Sequence, residues 1–250
     1  MKKKVFLLIV LILIILLIIL FFCLRMDKKN TPIDKTNYSQ LYLYDLGKSN
    51  IELIIKNDFV IMINTGLEED RDNLLDYLDK LGITEIDYLI LTNRDDKYIG
   101  NASFIIENFK VEYLYLNDYN YSSEEVEELL NILFDSYTEE IILTSNENIV
   151  IDNLNINIYP YLENDFNMND KTLIVNIKEG KNSIYLTSNS SNKRLDEIDS
   201  SSLIVSENKS FFDIKAKYYI YDRNDVIKDK DNLLKRNINI YFNEKEFIIE

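Results

Sequence analysis

Short apolar runs alternate with amphipathic stretches along almost all of the chain after residue 39. Val, Ile, Leu, Tyr and Phe dominate the runs and turn-forming residues separate them, which predicts β-strands. The predicted strands cover residues 40–44, 51–56, 59–64, 87–92, 111–116, 140–144, 148–151, 154–159, 171–178, 183–187, 203–205, 218–221, 238–242 and 246–249. No segment repeats at a fixed period, so a repeat architecture is excluded.

Four longer segments have apolar residues at helical spacing. The predicted helices cover residues 68–81, 99–109, 122–134 and 226–236. The first has acids in its first turn and Gly82 just past its end, which suits both helix termini. Ser122 and Glu125 have the spacing of a capping box at the start of the third. Strands, then helices, then strands again predict an α/β fold: an αββα sandwich of two mixed β-sheets flanked by helices.

The N-terminal 30 residues form a separate segment. Residues 5–24 carry no charge, and 20 helical residues span the hydrocarbon layer of a membrane, about 30 Å. Bulky residues around Cys23 disfavour both signal cleavage and lipid attachment there, so an uncleaved signal anchor is favoured over a cleaved leader. The sequence thus predicts a transmembrane anchor in residues 1–30, a linker at 31–39 and one domain at 40–250.

The charges of the chain bear on its location and partners. Lys2, Lys3 and Lys4 favour a cytoplasmic N-terminus, which predicts a single-pass protein of the cell membrane with an extracytoplasmic C-terminal domain. Residues 31–250, the linker and the domain together, have 22 basic and 42 acidic residues, a net charge of about −20. Nucleic acid is disfavoured as a partner because phosphate binding relies on clustered cations, whereas a protein partner is compatible with the charge.

Catalytic side chains are scarce. The chain has no histidine, and Cys23 in the apolar segment is its only cysteine. A Ser-His-Asp triad, a thiolate nucleophile and a cysteine zinc site are therefore excluded from the domain.

Five motifs follow one another in a fixed order along residues 40–250. They are Asp45-Leu46-Gly47; Ile63-Asn64-Thr65-Gly66; Lys80-Leu81-Gly82-Ile83 before residues 86–92; residues 172–175 with 184–189; and residues 203–210. In this order they resemble the metallo-β-lactamase superfamily, in particular its competence-protein ComEC-like branch. The resemblance implies the αββα fold and a link to DNA uptake or to extracellular phosphodiester hydrolysis.

The loop from Thr92 to Gly100 resembles the metal-binding loop of that family in its frame but not in its ligands. The family's first two histidines fall on Asn93 and Asp95, with Asp96 beside them. The remaining ligands fall on Lys97 for an aspartate, Tyr98 for a histidine, Asn189 for the bridging aspartate, and Glu207 or Asn208 for the last histidine. The family's zinc ions are therefore not expected here, and no other cofactor is predicted.

The sequence is compatible with two alternative structures of this loop. Lys97 can pair with Asp95, Asp96 or Glu207 and plug the former active-site cleft, or the charged residues can form an ordinary solvated loop. The predicted cleft comprises Asp45, Asn64, Asn93, Asp95, Asp96, Lys97, Tyr98, Asn189, Glu207 and Asn208.

Three functions are compatible with these observations. The sequence favours a membrane-anchored pseudoenzyme, a binding or structural module without catalytic residues. One alternative is a phosphodiesterase-like hydrolase that uses a hard cation and carboxylates in the same cleft. The other is an adaptor in a membrane complex, for which an exposed apolar patch is expected.

Overall fold

The polypeptide begins as the meander that its turn residues predict. The computed structural model describes residues 35–118, 123–161, 171–191, 194, 198–207, 214–221 and 237–250. A 3-10 turn at Lys35–Asn37 leads into three antiparallel strands, β1 (Ser39–Asp45), β2 (Asn50–Lys56) and β3 (Phe59–Ile63). The residues Thr36–Glu250 form one compact unit.

The central part of the chain adds three parallel strands to this meander. They are β4 (Glu85–Ile90), β5 (Lys110–Asn117) and β6 (Glu139–Leu143). The connecting segments contain a 3-10 turn at Glu68–Asp70 and the helices α1 (Arg71–Leu81), α2 (Asp96–Ile99), α3 (Ala102–Asn108) and α4 (Glu124–Asp135). Parallel strands need such crossovers because the chain must return to the same end of the sheet before the next strand begins.

The second half of the chain forms the other sheet and adds two strands to the first. Its strands are β7 (Glu147–Ile151), β8 (Leu154–Tyr159), β9 (Ile174–Glu179), β10 (Asn182–Leu186), β11 (Ser201–Ser206), β12 (Ala216–Tyr221), β13 (Ile238–Phe242) and β14 (Phe247–Ile249). The strand order is β14-β13-β1-β2-β3-β4-β5-β6 in the eight-stranded sheet A and β12-β11-β10-β9-β8-β7 in the six-stranded sheet B. Both sheets are mixed, as predicted.

Two main apolar layers hold these elements together. One lies between the sheets and includes Leu41 and Ile61 of sheet A with Ile156, Ile177 and Leu203 of sheet B. The other lies between sheet A and helices α1, α3 and α4. A strand with both faces covered must be apolar on both, which explains the continuous apolar run in β3.

Most predicted elements are present, with some boundaries moved. All fourteen predicted strands are found, and the predicted helix at 99–109 is two helices interrupted near Gly100. A Cβ at position 100 would lie 2.7 Å from the backbone nitrogen of Glu68. Glycine therefore lets the chain between the two helices approach this neighbouring backbone closely. The predicted capping box is wrong, because Ser123 is the N-cap of α4 and accepts a hydrogen bond from Val126 N at 3.3 Å.

Some predictions fall outside the described residues. Among the predicted segments, these are the transmembrane segment 5–24, residues 31–34 of the linker 31–39 and the helix 226–236. No helix in the described part of the chain is long and apolar enough to cross a membrane.

A buried ion pair links the two sheets at the end of the sandwich where β2 and β9 finish. Lys56 Nζ lies 3.0 Å from Glu179 Oε1, and the two side chains are 9% and 1% exposed. Ser39 Oγ donates to the other oxygen of Glu179 at 2.5 Å. All three groups are buried polar groups at strand termini, and each meets its partner in this cluster.

Replacing Glu179 with Gln should destabilise the domain by about 3 to 5 kcal/mol, because Lys56 would remain as a buried charge without its counter-ion. Urea unfolding of the full chain followed by tyrosine fluorescence measures the change. The control is Glu85→Gln, which breaks the exposed pair with Lys110; its midpoint should stay close to that of the wild type. Equal effects of the two variants would contradict this account.

Candidate functional site

Strand ends from both sheets meet in a narrow cleft at the opposite end of the sandwich. Sheet A contributes the start of β2 and the end of β3, and sheet B contributes the ends of β10 and β11. Eight polar residues line the cleft: Asn50, Glu52, Asn64, Lys97, Tyr98, Ser188, Ser206 and Glu207. The cavity volume is about 20 Å³, which is room for a single water molecule.

Lys97 and Glu207 form the central contact of this cleft. Lys97 Nζ lies 2.5 Å from Glu207 Oε2, and the side chains are 34% and 20% exposed. Tyr98 donates its hydroxyl to the same carboxylate oxygen at 3.0 Å. The hypothesis that Lys97 pairs with one of three acids is therefore confirmed, and Glu207 is its partner. The alternative, in which the charged residues form an ordinary solvated loop, is therefore wrong for Lys97.

Burial and the neighbouring carboxylate keep the Tyr98 phenol neutral. Tyr98 is 3% exposed, and burial raises its pKa far above the usual 10.0, with the negative charge of Glu207 acting in the same direction. The neutral phenol can donate a hydrogen bond to Glu207, whereas a phenolate would be repelled by it. Lys97 and Tyr98 thus converge as two donors on one carboxylate.

Asn64 links the ends of β3 and β4. Its Oδ1 accepts hydrogen bonds from Thr92 N at 2.9 Å and from Thr92 Oγ1 at 2.8 Å. The Asn64 backbone has φ 61°, the left-handed conformation that Asn tolerates better than most residues. Thr92 Oγ1 lies 3.1 Å from Ser188 Oγ in sheet B, so the contact continues across the sandwich.

A second set of hydrogen bonds lies beside the cleft. Asn93 Nδ2 donates to Thr172 Oγ1 at 2.7 Å, and Thr172 Oγ1 donates to Asn189 Oδ1 at 2.7 Å. Leu173 N donates to Thr92 O at 2.7 Å. The side chains of Asn93 and Asn189 therefore join the loop after β4 of sheet A to the segments beside β9 and β10 of sheet B through hydrogen bonds.

The structure distributes the ten predicted cleft residues over several places. Four of them line the cleft: Asn64, Lys97, Tyr98 and Glu207. Asn93 and Asn189 lie in the adjoining network, and Asp95 caps helix α2 by accepting from Lys97 N at 3.2 Å. Asn208 lies outside the described residues.

Two further predicted residues lie away from both the cleft and the adjoining network. Asp45 Oδ1 accepts from Gly47 N at 2.8 Å in the turn after β1. Asp96 lines a separate depression with Glu68, Glu69 and Glu125. The correction for Asp96 follows from helix geometry, because adjacent residues of a helix project about 100° apart and Lys97 faces the cleft.

The cleft also contains residues that the sequence motifs missed. Glu52 is the clearest, since it is 7% exposed and lines the cleft from β2. A single carboxylate within the apolar run 51–55 was a usable signal, because acids in fully buried strands are rare. Ser188 gave no such signal, since its contact with Thr92 depends on the pairing of distant strands. In the described part of the chain, no group of three or more Asp, Glu, His or Cys residues could hold a metal.

Known proteins resemble this chain in structure but not detectably in sequence. No family profile matches the sequence, and no curated protein is similar to it. The solved structures that it resembles are metallo-β-lactamase-fold proteins. One is the metallo-β-lactamase-fold protein YhfI from Bacillus subtilis, with 13% identity over 68% of this chain and 70% of that chain and a TM-score of 0.47.

Two further neighbours carry hydrolase names. A diphosphatase from the PhnP family is 14% identical over 72% of this chain and 85% of its own, with a TM-score of 0.48. The metallo-β-lactamase Rm3 is 7% identical over 68% of this chain and 76% of its own, with a TM-score of 0.48.

Replacing Asn64 with Ala should destabilise the domain by about 2 to 4 kcal/mol, because it leaves Thr92 N without its acceptor and places Ala in the left-handed region. Asn57→Ala is the matched control, since Asn57 also has a positive φ, 54°, but lies exposed in a turn; about 1 kcal/mol is expected there. Urea unfolding measures both. Equal losses would show that the backbone conformation alone matters.

The stabilising contribution of Tyr98 should fall at alkaline pH. The raised pKa keeps the phenol neutral in the folded chain, whereas it ionises near 10.0 after unfolding. The contribution is therefore complete below pH 10 and decreases as pH rises above it. The unfolding free energies of wild type and Tyr98→Phe, measured in urea between pH 8 and 11, should converge above pH 10. A constant difference would contradict the raised pKa.

Proposed function

We propose that the domain is a non-catalytic binding or structural module related to the ComEC-like branch of the metallo-β-lactamase fold. Residues 5–24 anchor it in the cell membrane as a single-pass protein, with the domain on the extracytoplasmic side. The observation that carries the non-catalytic assignment is the contact between Lys97 and Glu207, 2.5 Å apart within the cleft.

The side chains in the cleft do not fit the zinc centre of the family. Zinc of this class needs three or more ligands that converge in a fixed geometry, chiefly imidazole nitrogens with one or two carboxylates. The corresponding positions carry amides at Asn93 and Asn189, an ammonium at Lys97 and a phenol at Tyr98. The amides are engaged with Thr172, and the ammonium already neutralises Glu207. No zinc ion would therefore activate a water molecule here, and hydrolysis by the zinc mechanism of the family is not expected.

Two backbone positions support descent from a metal-binding frame. Ser188 has φ 45° where the family motif has Gly, and Asn64 has φ 61° where it has Asp. Ser is disfavoured in this left-handed region, so the local conformation at Ser188 is more typical of Gly than of its present side chain. The turn geometry is compatible with the family pattern, whereas the side chains at the ligand positions have changed.

The main alternative is a hydrolase that uses Ca²⁺ or Mg²⁺. These cations need several oxygen ligands around one point. Asp45 and Asp96 lie outside the cleft lining, and Asp95 is the cap of a helix. Lys97 supplies a positive charge at the place where a cation would lie, and Coulomb repulsion opposes its binding.

The purified full chain should bind zinc, manganese, magnesium and calcium substoichiometrically in mass-spectrometric metal analysis after equilibration with each ion and desalting. It should also hydrolyse bis(p-nitrophenyl) phosphate no faster than buffer with any of these ions, because the described residues offer no group that could hold a metal to polarise a phosphoryl oxygen. The control variant Asp95→Ala should behave like the wild type in both measurements. One metal per chain together with turnover that Asp95→Ala abolishes would establish the hydrolase instead.

A further inference from the structure

The charge of the chain is concentrated in one continuous segment. Residues 111–170 contain 14 acidic residues and no Lys or Arg. The segment includes helix α4, the following loop and the edge strand β6. Acids with solvent-exposed side chains lie along these elements: Glu124, Glu127, Glu128, Asp135, Glu139 and Glu140.

The same elements expose large apolar side chains. Leu130 is 46% exposed, Phe134 is 90% exposed, Tyr137 is 105% exposed and Ile142 is 39% exposed. Leu130 and Phe134 are four residues apart on α4 and therefore lie on one face of the helix. Val126 and Leu129 of the same helix are buried against sheet A, so α4 has a core face and a second apolar stripe toward solvent.

Ile142 belongs to the same side of sheet A as α4. It pairs in register with Leu116 of β5, and Leu116 packs in the apolar layer between sheet A and the helices. Strand β6 pairs with β5 and ends the strand order of sheet A in the described part of the chain. Leu130, Phe134, Tyr137 and Ile142 are called the α4–β6 face below; none of them lines the cleft.

We propose that the α4–β6 face docks a cationic amphipathic segment of a partner protein. Apolar side chains of the partner would cover Phe134 and Tyr137, and its Lys or Arg residues would pair with the surrounding acids. A segment with these two properties complements both features of the face. The charge favours a basic partner, because residues 111–170 contain no Lys or Arg of their own.

The same charges oppose other occupants. A second copy pairing through β6 would bring Glu139 and Glu140 of one chain toward the same residues of the other, which is repulsive. An anionic membrane surface is repelled by the same acids.

Binding of a synthetic 18-residue helical peptide, with Leu on one face and Lys on the other, tests the proposal with the full chain. Fluorescence anisotropy should show binding that weakens as NaCl is raised. Carbodiimide cross-links, mapped by mass spectrometry, should join peptide lysines to acids between 124 and 140. The double variant Phe134→Ser with Tyr137→Ser should lose affinity by about tenfold or more, and Asp135→Lys with Glu139→Lys should also weaken binding.

Matched controls lie at the turn between β2 and β3. Phe59→Ser removes another exposed aromatic residue, 42% exposed, and Asp58→Lys reverses another exposed charge; neither should change the affinity. Equal binding by the variants of the α4–β6 face and these controls would overturn the proposal. It would also be overturned by self-association that Phe134→Ser removes, by Phe134-dependent binding to lipid vesicles, or by equal binding of a Lys-only peptide.

Discussion

Polar groups at the strand ends must find partners in the opposite sheet, and this constraint shapes both ends of the sandwich. At one end the requirement is met by Lys56, Glu179 and Ser39, all buried. At the other, Lys97 and Tyr98 converge on Glu207. The apolar layer between the sheets is non-directional, so it favours burial without fixing how the sheets align. The directional contacts at the two ends provide that alignment, because charges and hydrogen bonds are stable only with the right neighbours.

The cleft is closed by direct contacts between side chains near the strand ends. An ammonium and a phenol meet a carboxylate within it, and amides form hydrogen bonds beside it. Such a network occupies the donors and acceptors that form it. It therefore leaves little of the cleft available to a reacting group, which is consistent with the small cavity that remains.

Helix α4 carries apolar side chains on its solvent-facing surface as well as on its buried face. Its inner face contributes Val126 and Leu129 to the core, but Leu130 and Phe134 remain exposed in a strongly acidic region. Exposed aromatic residues carry a solvation cost that a partner would relieve, whereas the acids keep the free protein soluble. The combination separates the cleft, where Lys97 and Tyr98 contact Glu207, from a surface whose apolar and charged groups both face solvent.

Local patterns in the sequence determined the strands, the helices and the two-sheet architecture, because alternation and helical spacing report directly on which faces are buried. The resemblance of the Thr92–Gly100 loop to a metal-binding loop suggested Lys97 and its three possible partners. The choice of Glu207 depended on tertiary structure, since the two residues are brought together only when β11 of sheet B meets the loop after β4. The same holds for Glu52, which is one acid in an apolar strand until packing places it beside the cleft. Asp96 shows the converse: it is adjacent to Lys97 in sequence, yet the turn of α2 directs it to another surface. The sequence determines which groups are available. Long-range strand pairing decides which of them meet, because residues such as Lys97 and Glu207, 110 positions apart, come together only when the chain between them closes into a loop.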